Sequence, residues 1–353
     1  MRKYLDANII ENTKGMPKDE WLMKRKCGIG GSDASSILGF NPYRSSMALY
    51  IDKIRDYEDI TNDLDDKSIS QNRDAHILMD SKGEPIVQNI NNDLDKNYFI
   101  QDNKNSYKME ISNKLKSFVA SEFMLKTGKK VRNINGILRN DKYPFAIANI
   151  DRAVVGEKAF LECKVTNSFN KKEWSKTVPI HYQIQMNHYM AVTGAAHCYV
   201  AALIGNEELV IHKLERDEEM IDEIMKLEEM FWNNCILGDD FPMPDGSSDY
   251  SKTLDILYKN SKQEELILFE AESILERYDE VVKIYKDFEK EKKAIEQYLK
   301  LQMQNYEIAY VGDRKITWKK QERNTIDTTR LKKEHPEIVA KFMKTTTSRV
   351  LKI

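Results

Sequence analysis

The stretch Asp151-Arg-Ala-Val-Val-Gly-Glu-Lys-Ala-Phe-Leu-Glu-Cys-Lys164 combines strand-forming residues, a turn signal and closely spaced charges. Gly156-Glu157 in its middle is typical of a two-residue type II′ turn, and apolar residues flank it on both sides. The stretch therefore predicts a β-hairpin. Counting outward from the turn along the two strands, Asp151 pairs with Glu162.

This register places two carboxylates where one divalent cation can contact both. Directly opposed side chains of an antiparallel pair have Cβ atoms about 4.5–5.5 Å apart. Lys164 follows Glu162 by two residues, so the strand period puts it on the same face, while Cys163 faces a core. A hard cation beside an ammonium stabilises the charge that develops in phosphodiester hydrolysis. The pattern predicts a metal-dependent nuclease. The alternative is a surface hairpin in which Asp151 caps a turn and Glu162 and Lys164 form an ion pair.

The segments around the hairpin resemble a known nuclease superfamily. The motifs that carry the resemblance to the PD-(D/E)xK nucleases are Ala148-Asn-Ile-Asp151, Leu161-Glu-Cys-Lys164 and Gln185-Met-Asn-His-Tyr189. The segment from Trp21 to Gly39, followed by Asn41-Pro-Tyr43, more narrowly resembles the opening of the YqaJ-type phage recombinases, which are relatives of lambda exonuclease. The similarity to that family covers roughly residues 20–54 and 108–242.

The resemblance implies a 5′-to-3′ exonuclease that digests double-stranded DNA from its ends, uses Mg²⁺ or Mn²⁺, and leaves single strand for an annealing protein. It implies that Asp151, Glu162 and the backbone carbonyl of Cys163 bind the metal. It also implies that Lys164 positions the attacking water and that Gln185 lies at the edge of the site. An endonuclease of the same fold, and a DNA-binding protein with a weakened or inactive site, are the alternatives.

A glycine-rich segment near the amino terminus predicts a phosphate pocket. Gly28 to Gly31 ends at Ser32, a good N-cap residue, and free N–H groups at a helix start bind phosphate. Arg25 lies seven residues before Ser32, and the resemblance implies that these two side chains hold the 5′-phosphate. Asp33 in the first helical turn repels an anion, so a capped helix without a ligand is the alternative.

One position departs from the family pattern. The glutamate that the resemblance expects near the metals, on an early helix, falls on Lys116. Glu84 is a second candidate for this ligand, whereas Glu110 and Glu122 are six residues from Lys116 and off its helix face. A lysine here would take the charge of one metal and give a single-metal or weakened enzyme.

Composition limits the class of protein. With 353 residues and 41% hydrophobic content, the chain can form one large core and an appendage. It has no apolar run of ~18 residues and no secretory apolar core, so we expect a cytoplasmic protein without a membrane partner. Four scattered cysteines lack a C-x-x-C pair, which argues against a zinc site or a disulfide framework.

The net charge of −2 gives no global attraction to DNA, so DNA contacts must come from local basic clusters. Lys171 and Lys172, which closely follow the Glu162-Cys-Lys164 strand, are the predicted DNA contacts. His181 and His188 flank Gln185, and we interpret both as structural rather than metal-binding residues.

We expect an α/β (α+β) fold, with a mixed β-sheet flanked by helices in a PD-(D/E)xK nuclease core at residues 1–242. A polar insertion is predicted at 55–107 and a linker at 243–252. A helical C-terminal extension with a basic hairpin is predicted at 253–353. Apolar spacing of three and four residues between 274 and 299 predicts a long helix. The resemblance to lambda-type relatives implies a homo-oligomeric ring.

Overall fold

The computed structural model describes residues 2–63, 106–205, 207–261, 263, 265, 266, 268, 271–344 and 348–353. Most of the predicted polar insertion at 55–107, including Glu84, lies outside these residues. The chain divides into two compact units, and the first ends at Ser261. The predicted linker at 243–252 overlaps the last helix of the first unit, Ser248–Leu257. None of the described helices is both long and apolar enough to cross a bilayer.

The first unit contains two five-stranded sheets among its described residues. The strands of the first sheet are β1 (Lys3–Tyr4), β2 (Ala7–Asn12), β3 (Ile29–Gly30), β5 (Gly136–Asn140) and β6 (Tyr143–Ala148). The strands of the second sheet are β4 (Val131–Asn133), β7 (Arg152–Val154), β8 (Ala159–Thr166), β9 (His197–Ile204) and β10 (Glu208–Glu215). Their spatial orders are β1-β2-β5-β6-β3 and β10-β9-β8-β7-β4.

Both sheets are mixed, because β3 runs parallel to β6 and β8 runs parallel to β9 while the other pairings are antiparallel. The predicted α/β class, with mixed sheets flanked by helices, is confirmed. The single predicted sheet is two sheets, since the chain leaves the first after Ala148 and enters the second at Arg152. Asp151 therefore lies on the connection between them.

Helices cover these sheets. Those of the first unit are α1 (Lys18–Lys24), α2 (Gly31–Ile37), α3 (Ser46–Asp63), α4 (Ser106–Thr127), α5 (Lys171–Trp174), α6 (Ile180–Thr193), α7 (Glu218–Met230) and α8 (Ser248–Leu257). Helix α6 begins directly after Pro179 and ends at Gly194, which adopts a φ of +72°. Helix α7 continues as a π-helical turn over Phe231–Ile236.

Strand β8 is buried on both faces. Phe160 belongs to the larger core, which includes residues of α6, whereas Leu161 and Cys163 pack with Val119 and Phe123 of α4. The predicted inward orientation of Cys163 is confirmed. Because alternate residues of a strand share a face, Glu162 lies on the side of Phe160 and of α6.

The connection between β7 and β8 is four residues long instead of two. Its turn residues are Val155 and Gly156, and Gly156 adopts a φ of +86°. The Val155 N–H donates to the carbonyl of Lys130 at 2.8 Å, so Val155 bonds toward β4 and not across the hairpin. The predicted type II′ turn at Gly156-Glu157 is therefore wrong, although the strand register that it implied is present.

The second unit contains a long helix, a hairpin and two short helices. Their bounds are α9 (Glu272–Met303), β11 (Ile308–Val311), β12 (Arg314–Thr317), α10 (Thr328–Glu334) and α11 (Pro336–Phe342). The predicted long helix is confirmed, as is the hairpin around Gly312-Asp313. Two short helices follow this hairpin, because Pro336 lacks the N–H that would continue the first and begins the second.

Candidate active site

The hairpin register brings Asp151 and Glu162 together. Arg152 pairs with Leu161 and Ala153 with Phe160, the register predicted from the sequence. Asp151 is one residue before the first of these pairs, and its Oδ2 accepts a hydrogen bond from the N–H of Cys163 at 2.9 Å. Both carboxylates therefore lie at the same end of the hairpin.

Lys164 is held between the hairpin and α6. Its Nζ lies 3.0 Å from Glu162 Oε1 and donates to Gln185 Oε1 at 2.8 Å. Gln185 in turn donates through Nε2 to the hydroxyl of Tyr189 at 3.1 Å, one helical turn later. The Lys164 ammonium also lies over the ring of Tyr182, 4.5 Å from its centroid. These contacts orient the ammonium beside the two carboxylates.

Lys116, from α4, is a member of the same cluster. Its Nζ lies 2.8 Å from Asp151 Oδ1. Burial disfavours the charged ammonium, but Glu162 and Asp151 outweigh burial and raise the pKa of Lys116. Within the described part of the chain, no three acidic, histidine or cysteine side chains gather into a metal-binding group. Lys116, the residue that departs from the family pattern, therefore contacts one of the two carboxylates directly.

Glu162 is almost fully buried, with 3% of its surface exposed. Burial raises the pKa of Glu162, and the neighbouring charge of Asp151 raises it further, against the opposing effect of Lys164. Among the described residues, Glu162 Oε2 is a buried atom without a hydrogen-bond partner. An unpartnered buried carboxylate oxygen is costly unless a cation reaches it.

The donor set suits a hard divalent cation. The carboxylates of Asp151 and Glu162 supply oxygen ligands, which Mg²⁺ and Mn²⁺ prefer, and the backbone carbonyl of Cys163 is a further candidate. The Cys163 side chain packs with Val119 and Phe123 on the opposite face of β8 from Glu162, so its sulfur is not directed at the carboxylates.

A cavity of about 350 Å³ joins this cluster to the predicted phosphate pocket. Its lining includes Lys116, Arg25 and Ser32. It also includes three residues of the hairpin and one of α6, namely Asp151, Glu162, Lys164 and Gln185. Arg25 donates to the Ser32 hydroxyl at 3.3 Å and lies over the ring of Trp21, 4.7 Å from its centroid. The structure therefore brings the two predicted sets of residues to one cavity.

The start of α2 differs from the prediction. Gly30 is the N-cap, and its N–H donates to the carboxylate of Asp33 at 3.0 Å, so Ser32 lies inside the first turn. The helix begins this early because Gly30 already pairs with β6. Gly31 allows a close approach to α6, since a Cβ there would lie 2.5 Å from Tyr189 Cε1. Ser32 as the N-cap residue is therefore a wrong prediction.

Asp33 does not leave a free negative charge beside the pocket. It is buried and lies 2.9 Å from the ammonium of Lys53. Burial opposes ionisation, but Lys53, Arg25 and Arg44 together lower the pKa of Asp33. The repulsion of an anion that Asp33 suggested in the sequence is therefore offset by these cations.

The predicted DNA contacts lie apart from the cavity. Neither Lys171 nor Lys172 lines it, and Lys171 forms an exposed ion pair with Glu208 at 3.2 Å. Two aromatic residues escaped the sequence reasoning, Trp21 under Arg25 and Tyr182 under Lys164. Each lies one helical turn from a predicted site residue, Trp21 four before Arg25 and Tyr182 three before Gln185. The i to i+3 and i+4 spacing was the signal available.

Two sequence comparisons identify similar proteins. The sequence model of one protein family, described as the YqaJ-like viral recombinase domain, matches residues 20–196. A protein described as uncharacterized protein YqaJ, from Bacillus subtilis (strain 168), is 34% identical over 346 residues, which cover 96% of this chain and 95% of that protein.

Solved structures give weaker similarity. An alkaline exonuclease from Laribacter hongkongensis is similar over 62% of this chain and 92% of its own, with 17% identity and a TM-score of 0.39. A phage-related exonuclease from Haemophilus somnus 129PT is similar over 35% of this chain and 70% of its own, with 15% identity and a TM-score of 0.30.

Proposed function

Because this chain belongs to the YqaJ-like viral recombinase domain family, we propose that it is a metal-dependent exonuclease that hydrolyses double-stranded DNA from its ends. The observation that carries this proposal is the single cavity lined by the Asp151, Glu162 and Lys164 cluster and by Arg25 and Ser32. The first set suits phosphodiester hydrolysis, and the second suits a terminal phosphate.

Each side chain of the cluster has a separate task in this proposal. Asp151 and Glu162 hold a divalent cation, Mg²⁺ or Mn²⁺. The cation supplies Lewis-acid stabilisation of the negative charge that develops on the phosphodiester oxygens. Lys164, held by Glu162 and Gln185, donates a hydrogen bond that positions the attacking water. Gln185 accepts a hydrogen bond from Lys164 and so fixes the position of the ammonium.

Arg25 and Ser32 account for the preference for DNA ends. A guanidinium and a hydroxyl together make charge-assisted and neutral hydrogen bonds to a 5′-phosphate. Binding of that phosphate in the shared cavity would set the distance from the strand end to the hydrolysed bond. Digestion would then run from 5′ to 3′ and leave a single strand for an annealing protein in recombination.

The test is digestion of linear duplex DNA, with and without a 5′-phosphate, beside closed circular DNA, in Mg²⁺, Mn²⁺ or chelator. We expect metal-dependent loss of linear DNA only, faster with the phosphate and abolished by Lys164→Ala. Lys213→Ala, which removes a lysine of β10 that pairs with Glu215 outside the cavity, is the matched control and retains cleavage. Cleavage of closed circles would show an endonuclease instead.

A second candidate function is DNA binding without hydrolysis. The ion pair of Lys116 with Asp151 favours it, because an ammonium already neutralises one of the two carboxylates. This alternative predicts that DNA is bound but that no metal stimulates cleavage in the same digestion experiment.

A further inference from the structure

Lys116 is fixed at the carboxylate cluster by the packing of its helix. Val119 and Ala120, three and four residues later, are buried against the second sheet, so this face of α4 points toward the hairpin. The ammonium contacts Asp151, and their side chains are 32% and 13% exposed respectively. Lys116 is therefore a partly buried charge with a defined position, unlike a solvated surface lysine.

The lone pairs of the carboxylates, and not the net charge of the cluster, leave room for one divalent cation. Asp151 and Glu162 carry two negative charges, and Lys116 and Lys164 carry two positive charges. Each carboxylate offers about four lone-pair positions, so a cation can contact both acids while Lys116 keeps its bond to Asp151 Oδ1. A second divalent cation a few Å away would face two ammonium groups, and the described residues supply no third acidic ligand for it.

We propose that the ammonium of Lys116 is a built-in cation that takes the place of a second divalent cation, so that this site binds one metal ion. This inference rests on the proposed nuclease function. Two-metal nuclease sites use their pair of cations to stabilise the attacking and leaving oxygens. Here the ammonium supplies the second positive charge next to the substrate phosphate.

The experiment counts bound Mn²⁺ per full-length chain by calorimetry and by the loss of the free Mn²⁺ spin-resonance signal. The variants are Lys116→Met, which removes the charge at similar length, and Lys116→Glu, which adds a ligand. Lys114→Met is the matched control, because Lys114 lies on the same helix in an exposed ion pair with Glu110. Circular dichroism confirms that each variant is folded.

We expect one Mn²⁺ for the wild type and two for Lys116→Glu. Lys116→Met still binds one Mn²⁺, about tenfold more tightly, because a neighbouring positive charge is removed. Its DNA cleavage at saturating Mn²⁺ nevertheless falls about tenfold or more, since the substrate phosphate loses that charge. The control changes Mn²⁺ affinity and cleavage by less than about twofold.

Two Mn²⁺ ions in the wild type, or a single ion in Lys116→Glu, would overturn the inference. So would a Lys116→Met variant that binds Mn²⁺ more tightly and also cleaves faster, because the lysine would then be an inhibitory plug. The ion count separates this inference from the proposed function. If no variant cleaves DNA, the nuclease proposal fails, while the stoichiometry still decides whether Lys116 replaces a cation.

Discussion

Two pairs of acidic and basic side chains, one partly buried and one fully buried, contact or belong to helix α6, and they differ in what surrounds them. At Gln185, the Glu162 and Lys164 pair lines a cavity of about 350 Å³. One turn later, the imidazole of His188 is 2.7 Å from Glu228 and 2.9 Å from the carbonyl of Ile147, and the side chains of His188 and Glu228 are fully buried. The second pair ties α6 to α7 and β6.

Glu162 and Glu228 each have one buried carboxylate oxygen, Oε2, without a hydrogen-bond partner among the described residues. An unpartnered carboxylate oxygen therefore does not by itself mark a functional site. Glu162 differs from Glu228 because a second carboxylate and an open cavity are next to it. The candidate site therefore differs from the structural pair in its open cavity and its second carboxylate, and burial alone does not distinguish them.

The largest expected effect is a loss of DNA cleavage when the Glu162 and Lys164 pair is changed, a loss that we do not expect at the His188 and Glu228 pair. Glu162→Gln removes the negative charge that holds the cation, so we expect DNA cleavage to fall by about 10³-fold or more, because such charge stabilisation supplies several kcal/mol. The free energy of unfolding should change little, because the variant relieves the repulsion between Glu162 and Asp151 and Lys164 keeps its hydrogen bond to Gln185.

Glu157→Gln is the control for this variant. Glu157 lies in the connection before β8, the strand of Glu162; it is bonded to His197 at 2.9 Å and does not line the cavity. Cleavage rates per folded molecule and denaturant unfolding of both variants make the measurement. A Glu162→Gln variant as active as Glu157→Gln would remove Glu162 from the site.

The opposite result is expected at the closed pair. Glu228→Gln leaves His188 without its charged partner in a fully buried place, and breaking a buried pair costs about 3 kcal/mol of the free energy of unfolding. Cleavage by the folded fraction should stay near wild type. Glu229→Gln, at the exposed neighbouring position, should change stability by less than about 0.5 kcal/mol. Equal unfolding midpoints for the two variants would contradict the structural role of Glu228.

The closed pair also predicts a pH dependence of stability. Burial opposes the imidazolium, but Glu228 outweighs burial and raises the pKa of His188 above its ordinary value of 6.5. A group with a raised native pKa stabilises the fold below its unfolded pKa, and that contribution is lost as pH rises through the native pKa. Burial likewise raises the pKa of Glu228, which acts in the same direction.

We therefore expect the free energy of unfolding of the wild type to decline above pH 6.5, measured by urea titration across neutral and alkaline pH. His188→Gln, which keeps a hydrogen-bonding side chain but does not titrate, should show a flatter profile. If the two profiles decline in parallel, His188 is not the titrating group.

The local patterns of the sequence predicted the elements around the open site well. Counting outward from the turn signal predicted the register of β7 and β8, and strand alternation predicted the inward orientation of Cys163. These features depend on residues that are close together in the chain, so they can be predicted from a short stretch of sequence.

Features that depend on distant partners were not predicted. Strands β1 and β2 lie in a polar amino-terminal segment and exist because β2 pairs with β5 more than a hundred residues later. The same is true of the turn at Val155, which bonds toward Lys130. The resemblance placed Lys116 near the metal-binding acids, but its contact with Asp151 was not predicted, because only the packing of α4 on the sheet brings the two segments together.

The smallest expected effect tests whether the open site depends on its aromatic support. Tyr182 lies under the Lys164 ammonium and packs against Trp174, with 5.5 Å between ring centroids. A cation over an aromatic ring gains about 0.5–2 kcal/mol, so Tyr182→Leu should lower DNA cleavage by about three- to tenfold through a less fixed lysine. Tyr182→Phe keeps the ring and should stay near wild type. Because Mn²⁺ affinity depends on the carboxylates, neither variant should change it. Equal losses in Leu and Phe variants would mean that the hydroxyl, and not the ring beneath Lys164, supports the site.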